Sequence, residues 1–166
     1  MGRRFIKSLL IGSGHSSKKR ISYDDSTEFD ELVTLDLYNA YVVHDLEVLP
    51  YPFEDNEFDD IHAYEVLEHT GSQGDFKFFF EQFNEFHRIL KPNGYLCASV
   101  PLGKWIFGDP GHKRVIQKET LSFLTEVHYE QVGKTTSADY RPWIKGFWTI
   151  EGIQEGNQLF FILRAV

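Results

Sequence analysis

The feature that most constrains the fold is the segment Leu9–Ser16, in which a short apolar run enters a glycine turn (Leu-Leu-Ile-Gly-Ser-Gly-His-Ser). A continuous apolar run is typical of a parallel strand that is buried on both faces. Glycines at the carboxyl end of such a strand let a ligand approach the backbone where a side chain would block it. The segment therefore predicts an α/β fold with a binding site at this turn, although a plain strand-to-loop turn would show the same pattern.

A second apolar run, Leu32–Leu37, carries the acid Asp36 near its end. The residues between the two runs show no helical period, but they are numerous enough for a crossover to a parallel neighbouring strand. In nucleotide-binding βαβ units, an acid about twenty residues after the glycine turn binds the ribose hydroxyls. We interpret Asp36 in this way, with a turn or capping aspartate as the alternative.

The next segments have clear strand and loop signals. Tyr41–Leu46 is a third strand candidate, and its link to the second strand is too short for a crossover helix. The chain either returns in extended form to a parallel strand or pairs antiparallel, and the sequence leaves both open. Prolines and an Asp-Asn pair predict a loop over Leu49–Asp59. Asp60–Tyr64 is a fourth strand candidate, followed at Glu65–His69 by a helical turn or a loop.

A helix is predicted from Asp75, which can cap its start, because phenylalanines then recur at three- and four-residue spacing. These phenylalanines are interpreted as core, and Lys91–Gly94 (Lys-Pro-Asn-Gly) as the helix stop. Tyr95–Pro101 follows directly as a fifth strand, so that strand, helix and strand form a parallel unit. A shorter helix is expected over Lys118–Val127.

The end of the chain indicates a β-hairpin. Phe147–Gly152 and Leu159–Leu163 are strand candidates, and Gln-Glu-Gly-Asn lies in the link between them. At 166 residues the chain fits a single domain, residues 1–166. The predicted fold is thus α/β, with a mostly parallel central sheet and a C-terminal antiparallel hairpin.

Composition excludes several classes of protein. The net charge of −8 and the pI near 5.3 give no long-range attraction to phosphate backbones, so general nucleic-acid binding is not expected. The single cysteine, Cys97, excludes an intramolecular disulfide and an all-cysteine zinc site, which indicates a reducing compartment. Lys7 and the glycine turn interrupt the first apolar run well short of a membrane span. We therefore expect a cytoplasmic protein with no membrane contact.

Taken together, several segments resemble the class I S-adenosylmethionine-dependent methyltransferases, particularly small members of the methyltransferase-domain 11 type. The matching segments are the glycine turn, Asp36, His44-Asp45-Leu46, Leu49–Asp59, Val66-Leu67-Glu68-His69 and Arg88–Leu96. Their order and spacing fit the family from about Leu9 to Pro101, and the final hairpin fits its reversed last strands. The resemblance implies a Rossmann-like methyltransferase fold, S-adenosylmethionine as cofactor and S-adenosylhomocysteine as product.

The resemblance also implies a cofactor site. Gly12, Ser13 and Gly14 would face the methionine and ribose part, and Asp36 would bind the ribose hydroxyls. The remaining implied contacts are Leu37 packing on adenine, Asp45 accepting from the adenine amino group, the Leu46 backbone at the ring edge, and Tyr64 and Glu65 on the methionine side.

Departures from the family pattern concern the same end of the sheet. Leu10 stands where the family usually has an acid, and Ser16 stands at the third glycine position. The helices after the first and second strands are expected to be shortened or missing. These departures suggest a pared-down methyltransferase that is completed by a partner subunit or by its own copy.

Methyl transfer from a sulfonium needs mainly binding and orientation, so a dedicated catalytic residue is not obligatory. Where the acceptor must lose a proton, His112 and His69 are the candidate bases because of their ordinary pKa, and Glu68 is a weaker candidate. Each has a structural alternative as a loop or helix-start residue. Asp109, His112 and Glu68 could converge on a metal, but their spacing does not demand one, and no metal site is predicted.

The leading hypothesis is a methyltransferase that acts on a small molecule or glycan precursor. A non-catalytic interaction module that keeps the fold, with the cofactor as a structural ligand, is the alternative, and Leu10 favours it. A nicotinamide-dependent oxidoreductase is disfavoured because the spaced third glycine is missing.

Overall fold

The computed structural model describes residues 5–166, and within this range seven strands form one sheet. The strands are β1 (Lys7–Ile11), β2 (Glu31–Asp36), β3 (Val42–Val43), β4 (Phe58–Tyr64), β5 (Leu90–Pro101), β6 (Trp148–Glu155) and β7 (Gln158–Ala165). Their order across the sheet is β3-β2-β1-β4-β5-β7-β6. The chain therefore has the expected Rossmann-like architecture.

The amino-terminal five strands are parallel. β1 pairs with β2 on one side and β4 on the other, and β4 pairs with β5. The third strand is only Val42–Val43, and it pairs parallel to the end of β2. Of the two alternatives, the chain therefore returns in extended form to a parallel strand. A two-residue strand needs only a short extended link for this return. All these strands end at one edge, where open α/β sheets bind their ligands.

The first of two α-helices in the described range, α1 (Phe76–Ile89), confirms the phenylalanine pattern. The Asp75 side chain caps it by accepting from the Phe78 amide at 3.1 Å. The helix ends at Ile89 as expected, but β5 starts at once, so that the predicted stop residues 91–94 already belong to the strand. Among the described residues, no helix has the length and apolar character needed to cross a membrane.

The second helix, α2 (Lys118–Ser122), is half as long as predicted. Thr125 has extended backbone angles and caps a separate 3-10 segment, Glu126–Gln131, by accepting from the His128 amide, so the helix cannot continue to Val127. Leu121 and Leu124 are buried as expected.

The carboxyl-terminal hairpin is confirmed, with β7 lying antiparallel between β5 and β6. The ladder between β5 and β7 runs from Tyr95 opposite Arg164 to Pro101 opposite Gln158. This pairing joins the hairpin to the parallel strands in one continuous sheet.

One face of the sheet is covered by α1 and the segments that follow β5. Its core side chains come from alternate positions of the strands, with the phenylalanines of α1 packed on them. They include Leu9, Ile11, Ile61, Ala63, Leu96, Ala98, Phe79, Phe80, Phe83 and Phe86. The 2.0-residue alternation of the strands and the 3.6-residue period of α1 meet in this core.

The opposite face is covered by residues 15–30, which contain no helix and are here called the strap. Tyr23 of the strap stacks on Tyr95 of β5 with ring centroids 3.9 Å apart, and Phe29 lies edge-on to His62. Lys19 reaches the buried Asp60 at 3.8 Å. The expected loss of the helix after β1 is thus confirmed, and side-chain anchors take its place.

Candidate functional site

The glycine turn after β1 is fixed to the end of β2. The Gly12 amide donates to the Leu35 carbonyl at 2.9 Å. Gly12 has φ of +63°, and a Cβ there would lie 2.5 Å from Cγ2 of Val66, so both conformation and space require glycine. The Gly14 amide donates to Oδ2 of Asp36 at 3.1 Å. The turn and the acid are therefore one unit.

Asp36 is half-buried at the carboxyl edge, where β1 and β2 end together. Its Oδ1 accepts from the Leu37 amide at 2.7 Å, while Oδ2 accepts from Gly14. Each carboxylate oxygen has a second lone pair, so the fixed carboxylate can still accept from two ligand hydroxyls.

A cleft of about 190 Å³ opens beside Asp36. It is lined by Asp36, Leu37, His44, Asp45, Leu46, Glu47, Val66, His69, Thr70 and Lys113. Four residues assigned to adenosine by resemblance therefore line one cavity, together with His69, a candidate base. Leu46 is buried in its wall, whereas Leu37 is half exposed at its mouth.

An ion pair closes one side of the cleft. Nζ of Lys113 lies 2.8 Å from both carboxylate oxygens of Glu47, and Glu47 also accepts from the Gly71 amide at 2.8 Å. The pair joins the loop after β5 to the loop after β3. Sequence reasoning missed both residues, because two single charges 66 positions apart give no local signal that they meet.

Beside the cleft lies a cluster of Glu68, His69 and His112, here called the histidine–carboxylate cluster. One ligand atom from each of the three lies within 4.8 Å of the others. Nε2 of His112 is 3.8 Å from Oε1 of Glu68, and the two imidazole rings meet edge to face at 4.7 Å. The three candidate catalytic residues are thus brought together, whereas Asp109 reaches His112 only at 4.0 Å from an exposed position.

Backbone carbonyls orient both imidazoles. Nδ1 of His112 lies 2.9 Å from the carbonyl oxygens of Trp105 and Ile106, and Nδ1 of His69 lies 3.1 Å from that of Gly111. A carbonyl oxygen can only accept, so each Nδ1 carries the proton and donates it. A neutral imidazole with its proton on Nδ1 keeps a lone pair on Nε2.

Glu68 is buried in an unusual way. Its side chain is about 2% exposed, and no lysine or arginine among residues 5–166 donates a hydrogen bond to its carboxylate, which lies beside the Glu65 carboxyl. Burial, reinforced by the neighbouring Glu65 carboxyl, raises the pKa of Glu68 to about 8. Burial likewise raises the pKa of Glu65. A proton or another positive charge is therefore needed between these two carboxyls near neutral pH.

Arg114 holds the turn that carries Glu68 and His69. Its Nε donates to the Leu67 carbonyl at 2.9 Å, and its Nη2 donates to Oγ1 of Thr70 and Oε1 of Gln82. Burial lowers the pKa of this arginine to about 10. The amides of Lys113 and Arg114 also donate to the Glu68 carbonyl, at 2.8 and 3.3 Å. Sequence reasoning missed Arg114, because nothing local distinguishes it from a surface arginine.

Comparison with known protein families identifies the family of this chain. The sequence profile described as "Methyltransferase domain" matches residues 10–98, more than half of the chain. This chain belongs to the methyltransferase-domain family. The cofactor is accordingly S-adenosylmethionine.

Solved structures share the fold of this methyltransferase-domain chain at low identity. A methyltransferase from Archaeoglobus fulgidus is 17% identical with a TM-score of 0.58, covering 98% of this chain and 86% of that one. An S-adenosylmethionine-dependent methyltransferase from Mesorhizobium loti is 12% identical with a TM-score of 0.55, covering 96% and 91%. A Burkholderia thailandensis N1-methyltransferase, solved with S-adenosylhomocysteine, is 13% identical with a TM-score of 0.56, covering 98% and 72%. No curated protein sequence matches.

Other residues that the family resemblance assigned to the cofactor lie outside the lining of the cleft. The hydroxyl of Tyr64 is held by Nδ1 of His62 at 2.6 Å and by the Ile21 carbonyl at 3.0 Å, below the strap. Glu65 accepts from Gln158. Ser13 is buried within the glycine turn. Their role toward the cofactor remains a prediction.

Leu10 shows how the family's usual acid is replaced. Its side chain is buried, and in the sheet it lies between Thr34 of β2 and His62 of β4. A carboxylate at this position would require a cationic ligand group or a new partner for its charge. The chain instead has an apolar side chain there, on the face below the strap.

Proposed function

We propose that this chain is an active methyltransferase that transfers the methyl group of S-adenosylmethionine to a hydroxyl group of a small molecule or glycan precursor. One observation carries the proposal: His69 belongs both to the lining of the cleft and to the histidine–carboxylate cluster. An acceptor bound at the cluster would therefore meet a methyl donor bound in the cleft.

Each part of the cleft has a role in holding the donor. Asp36 would accept from the ribose hydroxyls, and Asp45 from the adenine amino group. Leu37 and Leu46 would enclose the adenine ring, and the glycine turn would lie along the methionine part. The Glu47–Lys113 ion pair would keep the cleft narrow on its outer side.

The reaction needs an in-line approach more than strong catalytic groups. A new bond forms between the acceptor oxygen and the methyl carbon as the carbon–sulfur bond breaks. The bonding electrons go to sulfur, which becomes the neutral thioether of S-adenosylhomocysteine, and the hydroxyl proton passes to a base such as His69 or to water. Alignment of donor and acceptor in such a displacement contributes up to roughly 7–11 kcal/mol.

The surroundings of the cluster favour a small acceptor. Trp105 and Phe107 lie in the same loop as His112 and are 54% and 64% exposed. Exposed aromatic side chains beside a cleft are typical of binding sites for small organic molecules. The charge of −8 disfavours a nucleic-acid acceptor.

Calorimetric titration with S-adenosylmethionine and S-adenosylhomocysteine tests donor binding. Asp36→Ala should abolish the binding heat, because it removes the acceptor for the ribose and frees the Gly14 amide. Asp139→Ala is the matched control, since Asp139 pairs with Arg141 and lies outside the cleft. Wild-type protein that binds neither ligand at millimolar concentration would contradict the proposal.

Activity is then measured as release of S-adenosylhomocysteine over a panel of sugars, nucleotide sugars and phenols. We expect turnover with a hydroxyl acceptor, and loss of that turnover in Asp36→Ala. Donor binding without turnover on any acceptor would favour the second candidate below.

The second candidate is a non-catalytic module that keeps the fold and holds the cofactor as a structural ligand. Leu10 favours it, because the usual acid of the family is missing. A chain from the Haloferax volcanii complex between the Trm112 methyltransferase activator and a methyltransferase has the same fold at 13% identity and a TM-score of 0.55, covering 96% of this chain and 82% of that one, so chains of this fold can act in a complex with a protein partner. A module of this kind would retain its protein partner in Asp36→Ala, whereas an enzyme would lose its activity.

A further inference from the structure

We propose that the histidine–carboxylate cluster is a binding site for a divalent transition-metal ion, whose remaining coordination positions take the acceptor oxygen. The ion-binding part stands on the cluster alone. The acceptor part rests on the proposed function.

The separation of the ligand atoms suits a metal ion. Metal–nitrogen and metal–oxygen bonds of about 2.0–2.2 Å place neighbouring ligands of a tetrahedral ion roughly 3.4 Å apart. The three ligand atoms of Glu68, His69 and His112 already lie within 4.8 Å of one another. Side-chain shifts of less than about 1 Å would therefore bring them to bonding distance.

The ligand nitrogens are prepared for the ion. The Nδ1 protons of His69 and His112 are committed to the carbonyls of Gly111, Trp105 and Ile106, which leaves Nε2 of each ring as the available ligand atom. Metal-binding histidines are typically oriented by such a bond from the opposite nitrogen. Nε2 of His112 faces the Glu68 carboxylate at 3.8 Å.

Glu68 gives an independent reason for a cation. Both of its oxygens are buried, and no lysine or arginine of residues 5–166 donates a hydrogen bond to them. A buried carboxylate in this state is costly unless a positive charge compensates it. The guanidinium of the nearby Arg114 lowers this cost in part, but its hydrogen bonds go to Leu67, Thr70 and Gln82. A metal ion would bind the carboxylate directly.

The other buried carboxylate of this part of the sheet shows the contrast. Asp60 is fully buried, but Lys19 approaches it at 3.8 Å and His62 at 3.3 Å. Glu68 has no lysine or arginine in a comparable position among the ion pairs of residues 5–166. The two acids thus differ in whether a lysine or arginine forms an ion pair with the carboxylate.

The ligand set indicates the class of ion. Two imidazoles with one carboxylate suit Zn²⁺, Mn²⁺ or Fe²⁺ rather than Ca²⁺, which prefers an all-oxygen shell. Oε2 of Glu65 is also buried without a partner and is available as a fourth ligand. Three or four protein ligands leave positions open for oxygen atoms of the acceptor.

The ion would assist the transfer by acidifying the acceptor. A hydroxyl bound to a divalent metal has a lowered pKa, so its proton leaves to water more readily. The resulting oxygen forms the bond to the methyl carbon while the carbon–sulfur bond breaks, giving the methyl ether and S-adenosylhomocysteine. An acceptor with two neighbouring hydroxyls could occupy two open positions at once.

Calorimetric titration of the full chain with MnCl₂ and with ZnCl₂, after treatment with EDTA and its removal, tests the site. We expect one ion per chain and an affinity at least about tenfold weaker in His112→Gln and in Glu68→Gln. His15→Ala is the matched control, because His15 is an exposed histidine outside the cluster. Glu68→Gln keeps the shape of the side chain without its charge, so its melting curve should show a folded protein.

Titration with S-adenosylhomocysteine in EDTA separates the two proposals. Metal binding that survives Asp36→Ala, with cofactor binding that survives His112→Gln, supports two adjacent sites. Failure of the wild type to bind either ion, or equal weakening in His15→Ala, overturns the metal site and leaves the methyltransferase proposal standing. Metal binding by a wild type that does not bind the cofactor would leave the metal site standing and overturn the methyltransferase proposal.

Discussion

The two faces of the sheet are stabilised in different ways, although they share the same strands. On the α1 face, alternate strand residues such as Leu9 and Ile61 pack against phenylalanines in an apolar core. On the strap face, the neighbouring positions are Ser8, Asp60 and His62, all fully buried. The α1 face is stabilised by the burial of apolar surface, whereas the strap face is stabilised by ion pairs and aromatic stacking.

The difference shows what a sheet needs when a covering helix is missing. A helix satisfies its own backbone groups and presents a continuous apolar stripe. The strap has neither property, and it is fixed by single side chains: Lys19 to Asp60, Tyr23 to Tyr95 and Phe29 to His62. We therefore expect substitutions on the two faces to have effects of different size and kind.

The largest effect is expected on the α1 face. Phe83→Ala removes a fully buried ring that contacts Phe79, Phe86 and Trp148. The loss of packing and the resulting cavity should lower the free energy of unfolding by about 3–5 kcal/mol. Urea denaturation followed by circular dichroism measures it. A loss below about 1 kcal/mol would mean that this core is not the main source of stability.

A double-mutant cycle tests the buried charges of the strap face. Asp60→Asn and Lys19→Met should each destabilise by about 2–3 kcal/mol, since each leaves the other group buried with a weaker partner. The double variant should lose clearly less than the sum of the two. Additive losses in urea denaturation would show that the two charges do not stabilise one another.

Glu68→Gln sharpens the comparison, because Glu68 is a buried acid without a lysine partner. Glu65, Arg114 and His112 face it. The pKa of Glu68 is about 8 in the folded chain, whereas the ordinary pKa of a glutamate is 4.5, so the free energy of unfolding should fall as pH rises between these values.

In EDTA, the wild type should lose on the order of 1–2 kcal/mol of its free energy of unfolding between pH 6 and pH 8, and Glu68→Gln should not show this loss. Thermal melts at the two pH values measure the difference, with Glu126→Gln in an exposed segment as control. Parallel pH profiles for wild type and Glu68→Gln would disprove the buried-acid description.

The smallest effect is expected for Phe29→Ala, the matched counterpart of Phe83→Ala. The same change on the strap removes a half-buried ring that contacts His62 and Lys19. We expect a loss of about 1 kcal/mol, since the strap can relax around the gap. A loss equal to that of Phe83→Ala would show that the strap is part of the main core.

The sequence predicted those elements whose signals are local. The apolar run at Leu9, the phenylalanine period of α1 and the turn before Gln158 each specify one element, and all were found. The family resemblance added the Rossmann-like fold and the reversed last strands, which the sheet confirms. The end of α2 was wrong because the capping of the next turn by Thr125 competes with helix extension, and periodicity does not detect this.

The site was predictable in part. The sequence indicated that Glu68, His112 and Asp109 could converge, but the structure brings Glu68 and His112 together with His69 instead. Their shared burial and the orientation of both imidazoles by carbonyls depend on the path of the loop after β5. The roles of Glu47, Lys113 and Arg114 could not be predicted from the sequence, because the residues they contact are distant in sequence.

Three consecutive residues of the loop after β5 make three different kinds of contact. His112 belongs to the cluster, Lys113 closes the cleft through Glu47, and Arg114 fixes the turn below both. Any outward swing of this loop would therefore open the cleft and dismantle the cluster in the same motion. For the proposed methyltransferase, release of S-adenosylhomocysteine and opening of the acceptor site would then be one conformational step, whose rate would set an upper limit on turnover.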